Sequence, residues 1–215
     1  MKYVSKAHLN RFVQRVSLDK RPASSSRRAG YPGVKRRTGP TRATPIQEAM
    51  RNYHEVWKSG SYSRYSDGTK PVMYTAPLRT TCYVEVGYHF YNWFVKNHPT
   101  KRDWESDFIL YKTIVKGHVL DFTKCLSDHP KMTRTSTSGY TFCQEVADNA
   151  RSKGVSMLRV PSARAIGRDC IPVLLQKAST TPIDASKLKL SVANKDASKI
   201  NATVGKSKRS YRCAR

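Results

Sequence analysis

The spacing of apolar residues predicts a first helix that begins near residue 44. Thr44 is a suitable N-cap, Pro45 fits the first helical position, and Gln47 completes a capping box with Thr44. Gly60 is a suitable stop. Between them, six apolar side chains follow the helical period: Ile46, Ala49, Met50, Tyr53, Val56 and Trp57. The pattern predicts an amphipathic helix packed on a core.

Two further segments have helical character. Residues 79–96 are dense in Tyr, Val, Phe and Trp, and their length favours a buried helix, although a strand also fits. Residues 141–153 place apolar side chains on one helical face and end at Gly154.

Shorter apolar runs predict strands, and Pro172 places the last of them at a sheet edge. These runs are residues 71–75, 108–115, 118–122, 155–160 and 171–176. Helices mixed with short strands in irregular order predict an α+β fold rather than a regular βαβ winding.

Composition narrows the class of protein. The hydrophobic fraction of 38% is below the roughly 45–50% of average globular domains. No apolar run approaches the roughly 18–20 residues of a membrane helix, and no secretory signal follows the basic start. Five cysteines without a C-x-x-C pair argue against a disulfide scaffold and a zinc site. We therefore expect a cytoplasmic protein without a metal.

Positive charge is concentrated at both ends of the chain, whose net charge is +25. Residues 1–50 hold 12 basic and two acidic side chains, and residues 178–215 hold nine and two. Both ends are also rich in Ser and Thr. We predict a basic, weakly ordered arm over residues 1–43, an organised domain over 44–177, and a basic, weakly ordered tail over 178–215.

The basic ends have more than one interpretation. Like-charged segments attract polyanions, so nucleic acid is a natural partner, and a solubilising tail is the alternative. Leu9, Phe12, Val13 and Val16 fall on one helical face and predict a short amphipathic helix. The Arg- and Ser-rich start also resembles an organelle transit peptide.

Common catalytic motifs are absent, including the Walker loop, H-E-x-x-H and G-x-S-x-G. Four residues stand out by their order and spacing. Arg64 lies in a Gly- and Ser-rich turn and Tyr74 in the following Tyr-Thr strand, while Glu85 lies in the second predicted helix. Ser162 belongs to a later V-P-S-A-R segment, residues 160–164.

This series resembles the RES-domain family, which is named for its Arg, Glu and Ser. The similarity covers roughly residues 55–177, and the segments 119–121 and 141–144 also resemble family landmarks. One difference is local: family members usually follow the turn arginine with Trp and Asn, where this chain has Tyr65 and Ser66.

The resemblance implies an ADP-ribosyltransferase-like fold that degrades NAD. RES proteins are typically toxins that cleave NAD by hydrolysis or phosphorolysis and are held in check by an Xre-type antitoxin. Carried over by position, Arg64, Tyr74, Glu85 and Ser162 line the pocket. NAD is then a substrate, and no metal is required.

The chemistry of NAD cleavage suits these side chains. The reaction passes through an oxocarbenium-like ribose cation, which a carboxylate such as Glu85 stabilises. The guanidinium of Arg64 suits the pyrophosphate, and the Tyr74 ring suits the nicotinamide ribose. The hydroxyl of Ser162 suits nicotinamide or phosphate.

Two other functions use the same features. The first is a basic nucleic-acid-binding or structural protein of a virion or nucleoprotein particle that retains an inactive RES-like fold. The second is ADP-ribosyl transfer onto a macromolecule through the same pocket.

Overall fold

The computed structural model describes residues 12–13, 16–18, 43–98, 100, 103–124, 127–133, 137–193 and 198–212. The α-helices in these ranges are α1 (Pro45–Lys58), α2 (Arg79–Asn97) and α3 (Thr137–Ser152). Short 3₁₀ turns cover Pro130–Met132 and Gln176–Ala178.

The strands fall into two larger sheets and one hairpin. The first six are β1 (Phe12–Val13), β2 (Val16–Leu18), β3 (Tyr62–Ser63), β4 (Ser66–Asp67), β5 (Trp104–Ile114) and β6 (Val119–Asp121). The others are β7 (Met157–Pro161), β8 (Asp169–Cys170), β9 (Asp184–Val192), β10 (Lys199–Val204) and β11 (Ser207–Arg212).

The predicted start of α1 is confirmed. The Thr44 backbone N–H donates to Gln47 Oε1 at 2.8 Å, and the Gln47 N–H donates to Thr44 Oγ1 at 3.4 Å. These reciprocal bonds satisfy N–H groups that have no partner inside the helix. The segment around residues 79–96, for which a strand was the alternative, is helix α2.

The larger sheet is antiparallel and has the order β1-β5-β9-β10-β11, with β2 also paired to β5. Side chains of β5 alternate between its two faces. Phe108 and Leu110 join the core that includes α2, whereas Ile109 and Tyr111 contact Ala49 of α1 in a separate cluster. The sheet is therefore covered by α2 on one face and by α1 on the other.

The smaller sheet has the order β6-β7-β8, with β6 and β7 parallel and β8 antiparallel to β7. Helix α3 packs against it through Cys143 and Ala147, which share a buried cluster with Leu158. Three helices and mixed sheets confirm the predicted α+β class. No helix among the described residues has the length and apolar character needed to cross a membrane.

The prediction of a weakly ordered tail after residue 177 is wrong for the residues described there. Strand β9 pairs with β5 from Asp184 to Val192, and β10 and β11 extend the same sheet. Leu188 and Leu190 are buried, while Lys189 between them is only partly buried, with 44% of its side chain exposed. The high lysine content concealed an alternating strand pattern whose apolar face completes the core.

The predicted N-terminal helix is also wrong where the structure describes it, because β1 and β2 pair antiparallel with β5. The rest of the predicted arm over residues 1–43, including Leu9, lies outside the described residues except for residue 43.

Two predicted strands are reduced to single bridges. In the segments 71–75 and 171–176, Met73 bridges Val173, and Val173 also bridges Met157. The Leu158 N–H donates to the Pro172 carbonyl, but Pro172 has no N–H to donate in return, so the pairing of this segment with β7 is interrupted.

Candidate functional site

A cavity of about 580 Å³ lies between α2, the β3–β4 hairpin and the loop that joins β7 to β8. Arg64, Tyr74 and Glu85 line it. Ser162 stands directly behind the wall, where its hydroxyl donates to Glu85 Oε1 at 2.5 Å. The fold thus brings together four residues that are as much as 98 positions apart in sequence.

Arg64 is carried by the two-residue turn of the β3–β4 hairpin. The base of this hairpin is narrow, because a Cβ on Gly60 would lie 2.3 Å from the carbonyl oxygen of Gly68, whose φ is +104°. Gln144 of α3 fixes the hairpin from one side: its Nε2 donates to the carbonyls of Ser63 and Ser66 at 2.8 and 3.1 Å.

Contacts with Met132 and Tyr140 help to orient the Arg64 guanidinium. Its Nη1 donates to the carbonyl oxygen of Met132 at 3.0 Å, and its Cζ lies 4.9 Å from the centre of the Tyr140 ring. Tyr140 in turn stacks on Tyr62, with ring centroids 6.1 Å apart and planes inclined by 12°. Flat aromatic surfaces therefore adjoin a cation on one side of the cavity.

Tyr74 links the hairpin to the centre of the domain. Its Oη accepts a hydrogen bond from the backbone N–H of Tyr65 at 2.9 Å. This bond holds the turn that carries Arg64 against Tyr74. Burial raises the pKa of Tyr74 well above its ordinary value, so the side chain is a neutral phenol at physiological pH.

Glu85 lies in the second turn of α2, with 20% of its side chain exposed. Gly87, two residues later, faces the sheet, where a Cβ would lie 2.6 Å from Cγ2 of Ile200. This close approach fixes the height of α2 above the sheet. The carboxylate then points away from the sheet into the cavity.

The hydroxyl of Ser162 is fully engaged. In addition to donating to Glu85, Oγ accepts the backbone N–H groups of Arg164 and Ala165 at 3.2 and 2.8 Å. The sequence suggested that this hydroxyl positions nicotinamide or phosphate. In the structure it holds the Glu85 carboxylate and the turn after β7.

Two other titratable groups approach the same carboxylate. Burial, and secondarily the Glu85 charge, raises the pKa of Cys170 well above its ordinary value, so that its thiol is a donor 3.7 Å from Glu85 Oε1. His89 Nε2 lies 3.8 Å from Glu85 Oε2. Desolvation by the surrounding protein lowers the pKa of His89, although 58% of its side chain is exposed. The Glu85 charge opposes this shift, and the charges of Arg164 and Arg64 reinforce it.

Sequence reasoning missed three residues of this cavity. His89 follows Glu85 by one helical turn, a spacing that signals proximity. Arg164 ends the V-P-S-A-R segment, so its position in the sequence is a signal, although the sequence indicates no role for its side chain. Cys170 gave no local signal, because only the pairing of β8 with β7 brings it beside Glu85.

The remaining candidates for a site are weaker. A second depression of about 290 Å³ lies at residues 128–131 and Phe142 and contains none of the predicted site residues. Within the part of the chain that the structure describes, no three His, Cys, Asp or Glu side chains form a group suited to a metal ion.

Comparison with known proteins adds the family. No curated protein matches the chain. The family model for the RES domain matches residues 36–192, which includes Arg64, Tyr74, Glu85 and Ser162 and extends through β9. Since this match spans well over half of the sequence, the chain belongs to the RES-domain family.

Proposed function

We propose that the protein cleaves the bond between nicotinamide and ribose in NAD, by hydrolysis or phosphorolysis. Members of the RES-domain family generally act on NAD. The observation that carries the proposal is the Glu85 carboxylate, which faces a cavity of ligand size and is held there by the 2.5 Å bond from Ser162. Cavities of roughly 300–1,000 Å³ are typical of small-molecule sites.

The bond that breaks joins ribose C1 to the nicotinamide nitrogen. Nicotinamide leaves with the bonding electron pair and becomes neutral, so its departure needs no proton. The positive charge passes to the ribose ring as an oxocarbenium ion, which water or phosphate then attacks at C1 as its proton is lost to solvent. The carboxylate of Glu85 stabilises the transient cation electrostatically, because its position is set before the reaction begins.

The other cavity residues suit the remainder of the substrate. The cation of Arg64 is matched to a phosphate, and the stacked rings of Tyr62 and Tyr140 provide flat surfaces for a base. Tyr74 contributes a neutral phenol beside the ribose. The Cys170 thiol and the Ser162 hydroxyl both donate toward Glu85 and keep it an oriented acceptor.

The test is release of nicotinamide from NAD by the purified full-length protein, with and without phosphate. We expect release by the wild type and its loss in Glu85→Ala, while Glu145→Gln, which changes an exposed carboxylate on α3, stays active. Free ADP-ribose identifies hydrolysis, and its phosphorylated form identifies phosphorolysis. Absence of nicotinamide release from folded wild type under both conditions contradicts the proposal.

A second candidate function is polyanion binding. Residues 198–212 contain no acidic side chain, and Lys206, Lys208, Arg209 and Arg212 of the β10–β11 hairpin are exposed. This surface supports binding to nucleic acid that weakens steeply with salt. A nucleic-acid affinity that does not change with salt contradicts this function.

ADP-ribosyl transfer onto a macromolecule is distinguished by repeating the NAD assay with labelled NAD. Label that appears on a macromolecule rather than in free ADP-ribose identifies the transfer.

A further inference from the structure

Arg164 is one of the most buried charged side chains among the described residues, with 7% of its surface exposed. It follows β7 in a turn that is fixed by Ser162, whose Oγ accepts the Arg164 backbone N–H at 3.2 Å. The turn directs the side chain inward, where it forms part of the wall of the cavity that contains Glu85.

The charge of Arg164 has no anionic partner among the described residues. Its guanidinium lies 3.8 Å from the centre of the Tyr88 ring, a cation–π contact, and it forms no ion pair or side-chain hydrogen bond with the residues that the structure describes. Arg159 provides the contrast: it is 35% exposed and still contacts both Asp121 and Asp169.

A guanidinium remains protonated in proteins, and a buried charge without a counter-ion is costly. An aromatic face offsets only part of that cost. The carboxylate of Glu85 shares the cavity, but its contacts are with Ser162, Cys170 and His89. The described residues around Arg164 therefore offer no counter-ion for its charge. A ligand with an anionic group can supply one.

We propose that Arg164 binds a phosphate group of the ligand in this cavity, as a second anion-binding residue beside Arg64. The inference rests on the proposed function, in which that phosphate belongs to the pyrophosphate of NAD. Planar guanidinium donors match phosphate oxygens in a bidentate geometry, which an ammonium group does not reproduce. Inorganic phosphate offers the same chemistry, and the experiment separates the two sources.

The test is calorimetric binding of ADP-ribose, which keeps the pyrophosphate and lacks the scissile bond, to full-length protein. We expect Arg164→Met to weaken ADP-ribose binding by about tenfold to a hundredfold, in line with a charge-assisted bond of about 1.5–3 kcal/mol. Arg164→Lys should lie between the two. Arg168→Met, which removes an exposed charge from the same loop, should bind within twofold of wild type.

A parallel titration with inorganic phosphate identifies the source. Weakened binding of ADP-ribose assigns the subsite to the nucleotide, and weakened binding of phosphate alone assigns it to the free anion; both support an anion site at Arg164. Wild-type affinity of Arg164→Met for both ligands overturns it. If that variant does not fold, wild-type affinity of Arg164→Lys for both ligands overturns it equally.

This binding experiment is independent of turnover. If the wild type releases no nicotinamide but binds ADP-ribose through Arg164, the proposed function fails and the anion site stands. If the enzyme is active and Arg164→Met binds normally, only the anion site fails. We also expect the thermal stability of unliganded Arg164→Met to equal or exceed that of wild type, because a buried unpaired charge is removed.

Discussion

At the scale of single residues, the chemistry depends on how Glu85 is held. A carboxylate that is only 20% exposed must be satisfied locally, and here the Ser162 hydroxyl, the Cys170 thiol and His89 surround its two oxygens. Fixed donors orient the charge before substrate arrives, so little reorganisation accompanies the reaction. Ser162 is in this account a positioning residue.

Replacing Ser162 with alanine tests that role. We expect kcat for NAD cleavage to fall about tenfold or more, since hydrogen bonds to charged groups contribute about 1.5–3 kcal/mol. Loss of the bonds to the turn should also lower the free energy of unfolding by about 1–2 kcal/mol. Ser61→Ala, at an exposed position, is the matched control. An unchanged kcat in folded Ser162→Ala contradicts the role.

The lowered pKa of His89 gives a second residue-scale prediction. Below its pKa, the imidazolium stands 3.8 Å from Glu85 Oε2 and offsets the charge that stabilises the ribose cation. The rate of NAD cleavage should therefore fall at pH values below the pKa of His89, which is lowered from its ordinary value. His89→Gln should reduce that fall, whereas His54→Gln, on exposed α1 surface, should not.

The lowered pKa of His89 also makes the stability of the folded protein depend on pH. The unfolded chain binds the His89 proton at higher pH than the folded protein, so the free energy of unfolding decreases as pH falls through and below about 6.5. Denaturant titrations at several pH values should show a smaller decrease for His89→Gln. If wild type and His89→Gln show the same dependence of the cleavage rate on pH, the predicted effect on activity is contradicted. If they show the same dependence of the free energy of unfolding on pH, the predicted effect on stability is contradicted.

At the scale of elements, the site depends on how closely α2 approaches the sheet. Gly87 is buried against Ile200 of β10, and the missing Cβ allows the helix to sit low on that strand. Glu85 lies on the same helix, so the spacing between α2 and β10 sets the depth of the carboxylate in the cavity. A helix glycine, ordinarily unfavourable, is explained by this contact.

Substitution of Gly87 by alanine should destabilise the protein by about 1–3 kcal/mol, because an added Cβ lies 2.6 Å from Ile200 Cγ2. Higher helix propensity offsets about 1 kcal/mol of the strain. A double-mutant cycle with Ile200→Ala, measured by denaturant unfolding, should show that the pair costs less than the sum of the single changes. Additive effects, or a stabilised Gly87→Ala, contradict the packing.

At the scale of the whole molecule, the C-terminal strands complete the domain. Leu188, Leu190, Val192 and Ile200 belong to the same buried cluster as α2. Without β9, strand β5 loses its neighbouring strand, and the buried face of α2 loses the apolar side chains of β9 against which it packs. The strands that the structure describes after residue 177 are therefore part of the domain and support the helix that carries Glu85.

Truncation tests this dependence. A chain that ends after Lys177 should lack the cooperative unfolding transition of the full protein in circular dichroism, since it loses a central strand and its buried side chains. A chain that ends after Arg212 keeps β9 to β11 and should unfold as the full protein does. Cooperative unfolding of the shorter chain contradicts the structural role.

The sequence predicted the elements whose formation depends on residues close together in the chain. The Thr44 capping box, the buried helix around Glu85 and the strand over residues 108–115 follow from sequence neighbours. The pairing of β9 with β5 did not, because a basic segment that includes Lys187 and Lys189 has the composition of a solvated tail. The place of Cys170 beside Glu85 is set by tertiary structure alone.

The central claim is that the Glu85 carboxylate stabilises the departing ribose cation. Its most direct test is the kcat for nicotinamide release by Glu85→Gln, which keeps the shape of the side chain and removes its charge. We predict a loss of about a hundredfold or more, comparable with removal of a principal transition-state contact, while Glu145→Gln retains the wild-type kcat. An equal kcat for Glu85→Gln and wild type contradicts the account.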